Sequence, residues 1–131
     1  MIDYKALKIG NYMQKADGEL CTVHSLDYKG EGECLVNGNS PEMYNPVKLT
    51  DDIVLKSGFV YAGKDGNIKH YRHYITSLGI SLVDDKFYFV YCDKIGDLIL
   101  EDKISIKIEN LHRLQNLFYC LSGCSVLKVN L

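Results

Sequence analysis

The chain has 131 residues, which is long enough to enclose one hydrophobic core and too short for two independent ones. We therefore predict a single domain over residues 1–131. Hydrophobic residues make up 47% of the chain and charged residues 24%, a composition that excludes an intrinsically disordered protein. The formal net charge of −2 argues against a protein that binds nucleic acid through bulk positive charge, although a local basic strip is compatible with it.

The lack of a targeting signal and the pattern of the cysteines together predict a cytoplasmic protein. The first residues carry no charged leader followed by an apolar stretch, and no window approaches the roughly 20 apolar residues of a membrane span. An odd number of irregularly spaced cysteines favours reduced thiols over a disulfide framework. No CxxC pair is present and no histidine stands at zinc-finger spacing, so we expect neither a metal nor another cofactor. The five cysteines are Cys21, Cys34, Cys92, Cys120 and Cys124.

Turn signals recur at short intervals and separate segments that are rich in β-branched and aromatic residues. They include Asp17-Gly18, Asn37-Gly38, Asp65-Gly66, Asp84-Asp85 and Gly96-Asp97. This spacing is typical of consecutive antiparallel hairpins and not of βαβ units. The predicted strands cover residues 7–14, 20–27, 33–36, 59–62, 68–76, 80–84, 86–92, 98–101, 105–108 and 125–130.

The fold class that follows is α+β with mostly β structure. Residues 7–14 and 20–26, joined through Asp17-Gly18, are similar to the opening hairpin of a small SH3-like barrel. Many sheets begin with such a hairpin, so the pattern leaves two architectures open. The first is a coiled antiparallel sheet, and the second is an SH3-like barrel.

The first predicted helix covers about residues 50–57. Thr50 is a good N-cap, and Asp51 and Asp52 place negative charge at the positive end of the helix dipole. Gly58 stands where a helix commonly ends in a left-handed residue. Because the helix has only about two turns, its stability depends on packing more than on intrinsic propensity.

The second predicted helix is longer and covers about residues 109–122. Apolar residues recur along one face at helical spacing, and Gly123 follows as the stop signal. We expect this helix to cover an open end or face of the sheet with its apolar residues pointing inward. The apolar stripe consists of Leu111, Leu114, Leu117, Phe118 and Leu121.

Both helical segments resemble a known family of small proteins. Residues 49–59, LTDDIVLKSGF, are similar to its segment L-T-E-E-W-L-L-K-F-G-F, and residues 111–123, LHRLQNLFYCLSG, are similar to V-H-Q-L-Q-N-L-Y-F-A-L-T-G. The opening residues 7–12, LKIGNY, also fit the usual start of that family, which occurs in gut bacteria of the Bacteroides group, their prophages and their phages. No activity is established for the family. The resemblance therefore implies an origin in a phage or another mobile element and no particular chemistry.

The most unusual local pattern is a run of basic and aromatic residues on the predicted strand 68–76. Each face of this strand offers a cation, an imidazole and a phenol, a set that can hold a phosphate and stack on a base. We interpret the run as a binding site for an anionic, nucleotide-like ligand. The alternative is a half-exposed edge strand whose tyrosines cover the core and whose cations stay solvated. Strand alternation places Lys69, Tyr71 and His73 on one face and His70, Arg72 and Tyr74 on the other.

A second candidate patch lies on the polar side of the second helix. Helical spacing brings His112 close to Gln115 and Asn116, so the three side chains can form one polar surface. The alternative is a polar helix face that hydrogen-bonds a neighbouring loop or strand.

Sequence patterns that indicate catalysis are scarce. The chain contains no GxSxG, P-loop, HExxH or GxGxxG motif. The adjacent carboxylates Asp51-Asp52 and Asp84-Asp85 indicate a helix start and a hairpin turn, because neighbouring residues do not converge on one face of a strand. We therefore predict no catalytic residues and do not expect an enzyme.

Ten tyrosines and no tryptophan favour a binding role, because tyrosine is enriched at protein interfaces. Together with the resemblance, this indicates a non-catalytic accessory binding protein of a phage or mobile element. One concrete form is an antagonist of host antiviral defence that sequesters a nucleotide-like signal or a host protein in the host cytoplasm. The alternative is a minor structural or assembly protein of the virion.

The expected partners follow from the same reasoning. They are an anionic small molecule or a host or phage protein, and neither a membrane nor a nucleic acid is expected. Exposed strand edges favour a two-fold homodimer.

Overall fold

The computed structural model describes residues 2–30, 32–76, 78–91, 94–95, 98–99, 104–123 and 125–131. The helices are α1 (Asp51–Lys56) and α2 (Leu111–Leu121), and short 3-10 turns cover Tyr4–Ala6 and Pro41–Met43. Antiparallel strands predominate, which confirms the α+β, mostly β fold class. The strands are β1 (Tyr12–Lys15), β2 (Leu20–Thr22), β3 (Leu26–Gly30), β4 (Glu33–Val36), β5 (Tyr44–Asn45), β6 (Phe59–Asp65), β7 (Ile68–His73), β8 (Gly79–Val83), β9 (Lys86–Tyr91), β10 (Lys94–Ile95), β11 (Leu98–Ile99) and β12 (Ile104–Ile108).

The largest unit is a five-stranded antiparallel sheet with the strand order β12-β9-β8-β7-β6. Three consecutive hairpins build four of its strands, and the turns of two of them lie at the predicted signals Asp65-Gly66 and Asp84-Asp85. In the β8–β9 hairpin both turn residues, Asp84 and Asp85, have left-handed φ angles, 49° and 61°, which aspartate tolerates better than most residues. The hairpin prediction is therefore confirmed for this part of the chain.

Both helices are capped at their N-termini by a polar side chain. The side chains of Thr50 and Asn110 each accept a hydrogen bond from a backbone N–H in the first turn, at 3.3 and 3.0 Å. Each helix is followed by a glycine with a left-handed φ, +85° at Gly58 and +72° at Gly123. The two predicted helices are confirmed, and α2 begins at Leu111, two residues later than expected.

One face of the five-stranded sheet packs against the helices, and we call it the inner face. It carries the fully buried Phe59, Ile80 and Phe89, which pack with the apolar stripe of α2 in the main hydrophobic core. The opposite face, without helices, is the outer face. Leu121 departs from the prediction: it is 40% exposed, because the last turn of α2 extends past the buried part of the helix. The buried residues of the stripe are Leu111, Leu114 and Phe118.

A second, smaller core lies in the N-terminal third of the chain. It is formed by the N-terminal segment, the three-stranded sheet β2-β1-β5 and the β3–β4 hairpin. Its buried residues are Ile2, Leu7, Met13, Val23, Val36 and Tyr44.

Two predicted strands of this region are too long. Residues 7–11 form a turn ahead of β1, with Gly10 at a φ of +91°. Between β2 and β3, the side-chain oxygen of Asn37 accepts hydrogen bonds from the backbone N–H groups of His24 and Ser25, at 2.8 and 3.1 Å. Because those two amides are taken by a side chain, they do not join a ladder. The predicted strand 20–27 is consequently two short strands.

The strand predicted for residues 125–130 is wrong. The backbone N–H of Asn130 donates to the carbonyl of Lys56 at the end of α1, at 2.9 Å, and the Tyr12 hydroxyl donates to the carbonyl of Val129 at 3.4 Å. Leu127 is buried in the main core. The tail thus docks as extended chain on a helix end and a side chain, and not on the edge of a sheet.

The SH3-like barrel is not the observed architecture. Within the described ranges no sheet closes on itself: β1, β2 and β5 pair with one another and not with the five-stranded sheet. The structure is instead a set of open antiparallel sheets, and the two helices pack against one face of the largest of them. Over the same ranges, none of the helices has the length and apolar character that crossing a membrane requires.

Three of the cysteines fall within the described residues, and Cys21, Cys34 and Cys120 are free thiols. Cys92 and Cys124 lie outside the described residues. The predicted turn at Gly96-Asp97 lies outside them as well, together with the last residues of the predicted strands 86–92 and 98–101.

Candidate functional site

The basic and aromatic run lies on β7, and the sheet divides its residues between two faces as strand alternation predicts. Lys69, Tyr71 and His73 share the inner face with the core residues of β8. His70 and Arg72 lie on the outer face. The two faces give these side chains different surroundings.

On the inner face, Tyr71 anchors the start of α1 to the sheet. Its hydroxyl donates to Oδ1 of Asp51 at 2.6 Å, and Nζ of Lys69 lies 3.8 Å from Oδ2 of the same carboxylate. Burial, followed by the hydrogen bond to Asp51, raises the pKa of Tyr71 to about 12. Tyr71 thus stays protonated and serves as a structural donor between sheet and helix.

His73 is a core residue. Its ring lies 4.6 Å from the ring of Phe118 and 5.2 Å from that of Phe59, measured between centroids, and burial lowers its pKa. Its Nδ1 accepts hydrogen bonds from the backbone N–H groups of Ile75 and Thr76, both at 3.3 Å, so the ring is neutral with its proton on Nε2. These two bonds fold the chain back. They explain why β7 ends at His73, earlier than the predicted strand 68–76.

Tyr74 lies in the turn that follows and does not join the outer face of the strand. Its ring lies 5.1 Å from the ring of His73, and a Cβ at Gly58 would come within 3.0 Å of its Cε1 atom. Tyr74 is 66% exposed, and its ring lies over the end of α1.

On the outer face, His70 and Arg72 remain accessible. Nδ1 of His70 lies 2.9 Å from Oγ of Ser81 on β8, a hydrogen bond that fixes the imidazole ring against the sheet. The guanidinium of Arg72 is exposed, and in the described part of the chain no carboxylate lies within ion-pair distance of it. The outer face therefore carries a cation without an internal counter-ion.

The register of the sheet adds three residues to this face. Ser81 is opposite His70, Tyr88 is opposite Ser81, and Lys107 is opposite Tyr88. We call His70, Ser81, Tyr88 and Lys107 the outer-face row. With neighbouring strands about 4.8 Å apart, the row spans about 14 Å. Sequence reasoning missed Ser81, Tyr88 and Lys107, because only the pairing of four strands brings them together.

Arg72 stands next to the row, beside a gap in the side-chain surface. It is opposite Gly79 on β8, and Gly79 is in turn opposite Val90 on β9. Since glycine has no side chain, the backbone there forms a flat floor between Arg72 and Val90. An added Cβ at Gly79 would make contacts of 3.4 Å or longer, so the gap is not required by packing.

The contact between Ser81 and His70 has the distance of a nucleophile and its general base. In the catalytic arrangement a third group orients the base. Among the described residues, no carboxylate forms an ion pair with His70. The pair is consequently interpreted as a hydrogen bond that holds the imidazole in place for binding.

The second predicted patch also separates into two parts, with Gln115 and Asn116 in one and His112 in the other. Oε1 of Gln115 accepts from the backbone N–H of Tyr12 at 2.9 Å, and its Nε2 donates to the carbonyl of Gly10 at 3.3 Å. Nδ2 of Asn116 donates to a backbone carbonyl at residue 6, at 2.8 Å, and its Oδ1 accepts from Nδ2 of Asn11 at 2.9 Å. We call these four bonds the amide clamp. They are contacts of the kind expected for a polar helix face that holds a neighbouring segment.

His112 lies one turn earlier on α2 and takes no part in the clamp. It is buried, burial lowers its pKa, and the carboxylate of Asp3 partly opposes that effect. Its Nδ1 has no hydrogen-bond partner among the described residues. An imidazole in these surroundings is neutral and part of the interior.

No metal site is apparent in the part of the chain that the structure describes, since no three His, Cys, Asp or Glu side chains there are grouped closely enough to hold an ion. The arrangement with accessible chemistry is the outer face, where Arg72, His70 and Lys107 offer hydrogen-bond donors beside the half-buried ring of Tyr88. Comparison with models of protein families, with curated proteins and with solved structures found no match to this chain.

Proposed function

We propose that the protein is a non-catalytic binding protein that holds an anionic, nucleotide-like ligand on the outer face of its five-stranded sheet. The observation that carries this proposal is the state of Arg72, an exposed guanidinium without a carboxylate partner among the described residues, beside an imidazole fixed by Ser81. The remaining cations and imidazoles of the run are engaged with the core and with Asp51.

The chemistry of the outer face suits a phosphate attached to a flat ring. A guanidinium binds phosphate through two parallel hydrogen bonds. In the tautomer in which Nδ1 of His70 accepts from Ser81, its Nε2 carries the proton and is a second donor. The floor at Gly79 leaves room for a planar group next to Arg72, and the ring of Tyr88 offers a surface on which a base can stack.

The biological setting is proposed from the resemblance of residues 49–59 and 111–123 to proteins of Bacteroides-group phages and prophages. A phage protein that binds nucleotides without converting them can sequester a signal of host antiviral defence in the host cytoplasm. The anionic character of such signals matches the uncompensated charge of Arg72.

Isothermal titration calorimetry tests the ligand class. The probes are a cyclic dinucleotide, its linear form and the corresponding neutral nucleoside. We expect the phosphate-bearing probes to bind and the nucleoside to bind at least about tenfold more weakly, because a charge-assisted hydrogen bond contributes about 1.5–3 kcal/mol. Absence of binding by both phosphate-bearing probes would contradict the proposal.

Two arginine variants locate the site. Arg72→Gln removes the outer-face guanidinium, and Arg113→Gln removes the other arginine of the chain, which is exposed on α2. We expect about a 10- to 100-fold loss of affinity for Arg72→Gln and no change for Arg113→Gln. Gly79→Val, which fills the floor and leaves Arg72 intact, should also weaken binding. Equal effects of the two arginine variants would move the ligand away from the outer face.

Recovery of the ligand distinguishes binding from turnover. We expect the nucleotide to elute unchanged from chromatography after prolonged incubation with the protein. A converted product that disappears in Ser81→Ala would instead assign a catalytic role to Ser81 and His70.

A further inference from the structure

A cavity of about 310 Å³ opens on the helix side of the molecule, away from the outer face. Three segments that are distant in sequence meet there: the turn ahead of β1, the second half of α2 and the tail that follows it. The amide clamp forms the floor, with Asn11, Gln115 and Asn116 among the lining residues. The volume is at the lower end of the range for small-molecule sites.

The rim of this cavity is apolar and exposed. Ile9 is 62% exposed, Val126 74% and Tyr119 39%, and all three line the same opening. Single exposed apolar residues are common on protein surfaces, but a group of them around a concave opening is typical of a binding site. The buried Leu127 extends the apolar surface into the cavity wall. The rim therefore favours a ligand with an apolar, ring-sized body.

The charge at the cavity comes from one residue. Lys8 is the charged residue of the lining, and its Nζ lies 5.8 Å from the centroid of the Tyr119 ring. No carboxylate of the described residues forms an ion pair with Lys8. A single uncompensated cation beside an apolar rim matches one negative charge on the ligand.

The floor is already built before a ligand enters. The backbone N–H of Lys8 donates to Oδ1 of Asn11 at 2.8 Å, and Asn11 is in turn bonded to Asn116. These bonds hold the turn that carries Lys8 and Ile9 against α2. Because the amide groups of the floor are neutral and are bonded to one another and to the backbone, they do not call for a second charge on the ligand.

We infer that this cavity is a binding site for an aromatic carboxylate, with the ring between Ile9 and Val126 and the carboxylate at Lys8. The site is separate from the outer face and does not depend on the function proposed for it. Charge complementarity decides the class of ligand: the rim accepts an apolar ring, and Lys8 selects the anion over its neutral counterpart.

Two matched probes test this inference. 2-Naphthylacetate and 2-naphthylacetamide have the same ring and differ in the negative charge. Titration of the full-length protein with each, followed by two-dimensional amide NMR, reports the affinity and the location of binding. We expect 2-naphthylacetate to shift the signals of Gly10 and of the Asn116 side chain, and the amide to bind at least about tenfold more weakly. Equal affinities, no binding by the acid, or shifts confined to the outer face would overturn the inference.

Variants of exposed residues separate charge from shape. Lys8→Gln should lower the affinity for the acid to that of the amide, whereas Val126→Ser should weaken both probes by a similar factor. The controls are Lys5→Gln and Val60→Ser, exposed residues of the same types outside the cavity lining. Neither control should change the affinity for either probe. An unchanged affinity in Lys8→Gln, at an unaltered thermal midpoint, would remove the carboxylate from the cavity.

Discussion

The two faces of β7 carry similar side chains in different surroundings. On the inner face, His73 accepts two backbone hydrogen bonds between two phenylalanine rings, and Tyr71 donates to Asp51. On the outer face, His70 bonds to Ser81 and Arg72 faces solvent. The same residue types thus provide internal structure on one side of the sheet and accessible donors on the other.

This difference teaches that residue type alone does not indicate a binding site. The helices cover the inner face, and there the polar groups of the run must find internal partners, since a buried group without a partner costs about 1–3 kcal/mol. The outer face has no such cover among the described elements. Its cation can remain without a partner because water solvates it until a ligand replaces the water.

The largest expected effect tests whether the two faces really differ in packing. Phe89 and Tyr88 are neighbours on β9 that point to opposite faces. Phe89 is fully buried, so Phe89→Ala should lower the free energy of unfolding by about 3–5 kcal/mol, whereas Tyr88→Ala should lower it by about 1 kcal/mol. Urea unfolding followed by circular dichroism measures both values. Equal losses would mean that the outer face is packed as tightly as the inner one.

A pair of glycines tests the position of His73. Gly58 and Gly123 both follow a helix with a left-handed φ, so alanine at either position costs about 1 kcal/mol. At Gly58 the added Cβ would lie 3.0 Å from Nε2 of His73, whereas at Gly123 it would have no atom of the described residues within 4 Å. We expect Gly58→Ala to cost about 1–3 kcal/mol more than Gly123→Ala in thermal unfolding. A Gly58→Ala variant no less stable than Gly123→Ala would show that His73 moves freely.

The buried histidines predict a stability that falls on acidification. Burial lowers the pKa of His73 and of His112, so below about pH 6.5 the unfolded state takes up protons that the folded state does not. Above about pH 6.5 this effect should leave the free energy of unfolding unchanged, and over the interval below that value the free energy of unfolding should decrease as the pH falls. Urea titrations across that interval measure the slope, which should be shallower in His73→Gln. A slope of the opposite sign would contradict the burial of both rings.

Two tyrosines on opposite faces give a smaller difference. Tyr71→Phe removes the hydrogen bond to Asp51 and should cost about 1 kcal/mol, whereas Tyr88→Phe, whose hydroxyl bonds to no described residue, should stay within about 0.5 kcal/mol of the unchanged protein. The pKa of Tyr71, raised to about 12, adds a stabilisation that is present below about pH 10 and is lost as the pH rises from there through about 12. Alkaline unfolding of the Tyr71→Phe variant should lack that loss. If both variants behave alike, the hydroxyl of Tyr71 does not anchor α1.

The smallest expected change in stability belongs to the residue proposed to bind the ligand. Arg72→Gln should alter the free energy of unfolding by no more than about 0.5 kcal/mol, as should Arg113→Gln, because each guanidinium is exposed. Chemical unfolding without ligand measures both variants. A markedly destabilised Arg72→Gln variant would indicate that the guanidinium supports the fold and would weaken its assignment to ligand binding.

Local rules predicted much of the larger sheet and both helices. The capping residues Thr50 and Gly58 of α1, and Gly123 after α2, act on the backbone of the few residues next to them. Their effect can therefore be recognised from the sequence without knowing which segment packs against the helix. The division of β7 into two faces also follows from the pleat of any strand. The amide clamp is the polar helix face that the sequence offered as the alternative for Gln115 and Asn116. Its partner groups lie in residues 6–12, about 100 residues away along the chain, so no sequence rule could name them.

The errors have a common origin in long-range contacts. The side chain of Asn37, which follows β4, interrupts the predicted strand 20–27. The tail docks on Lys56 and Tyr12 and not on the edge of a strand. The predicted two-fold homodimer and the origin in a mobile element stay predictions.

The amino-acid sequence by itself determined several of the hairpin turns, the presence of both helices and which residues of β7 share a face, because these depend on backbone geometry within a few residues. Only the tertiary structure decided which face of β7 is covered, which residues complete the outer-face row and where the cavity beside α2 opens. Those outcomes depend on strand register and helix docking, and both arise from contacts between segments that are far apart in the chain.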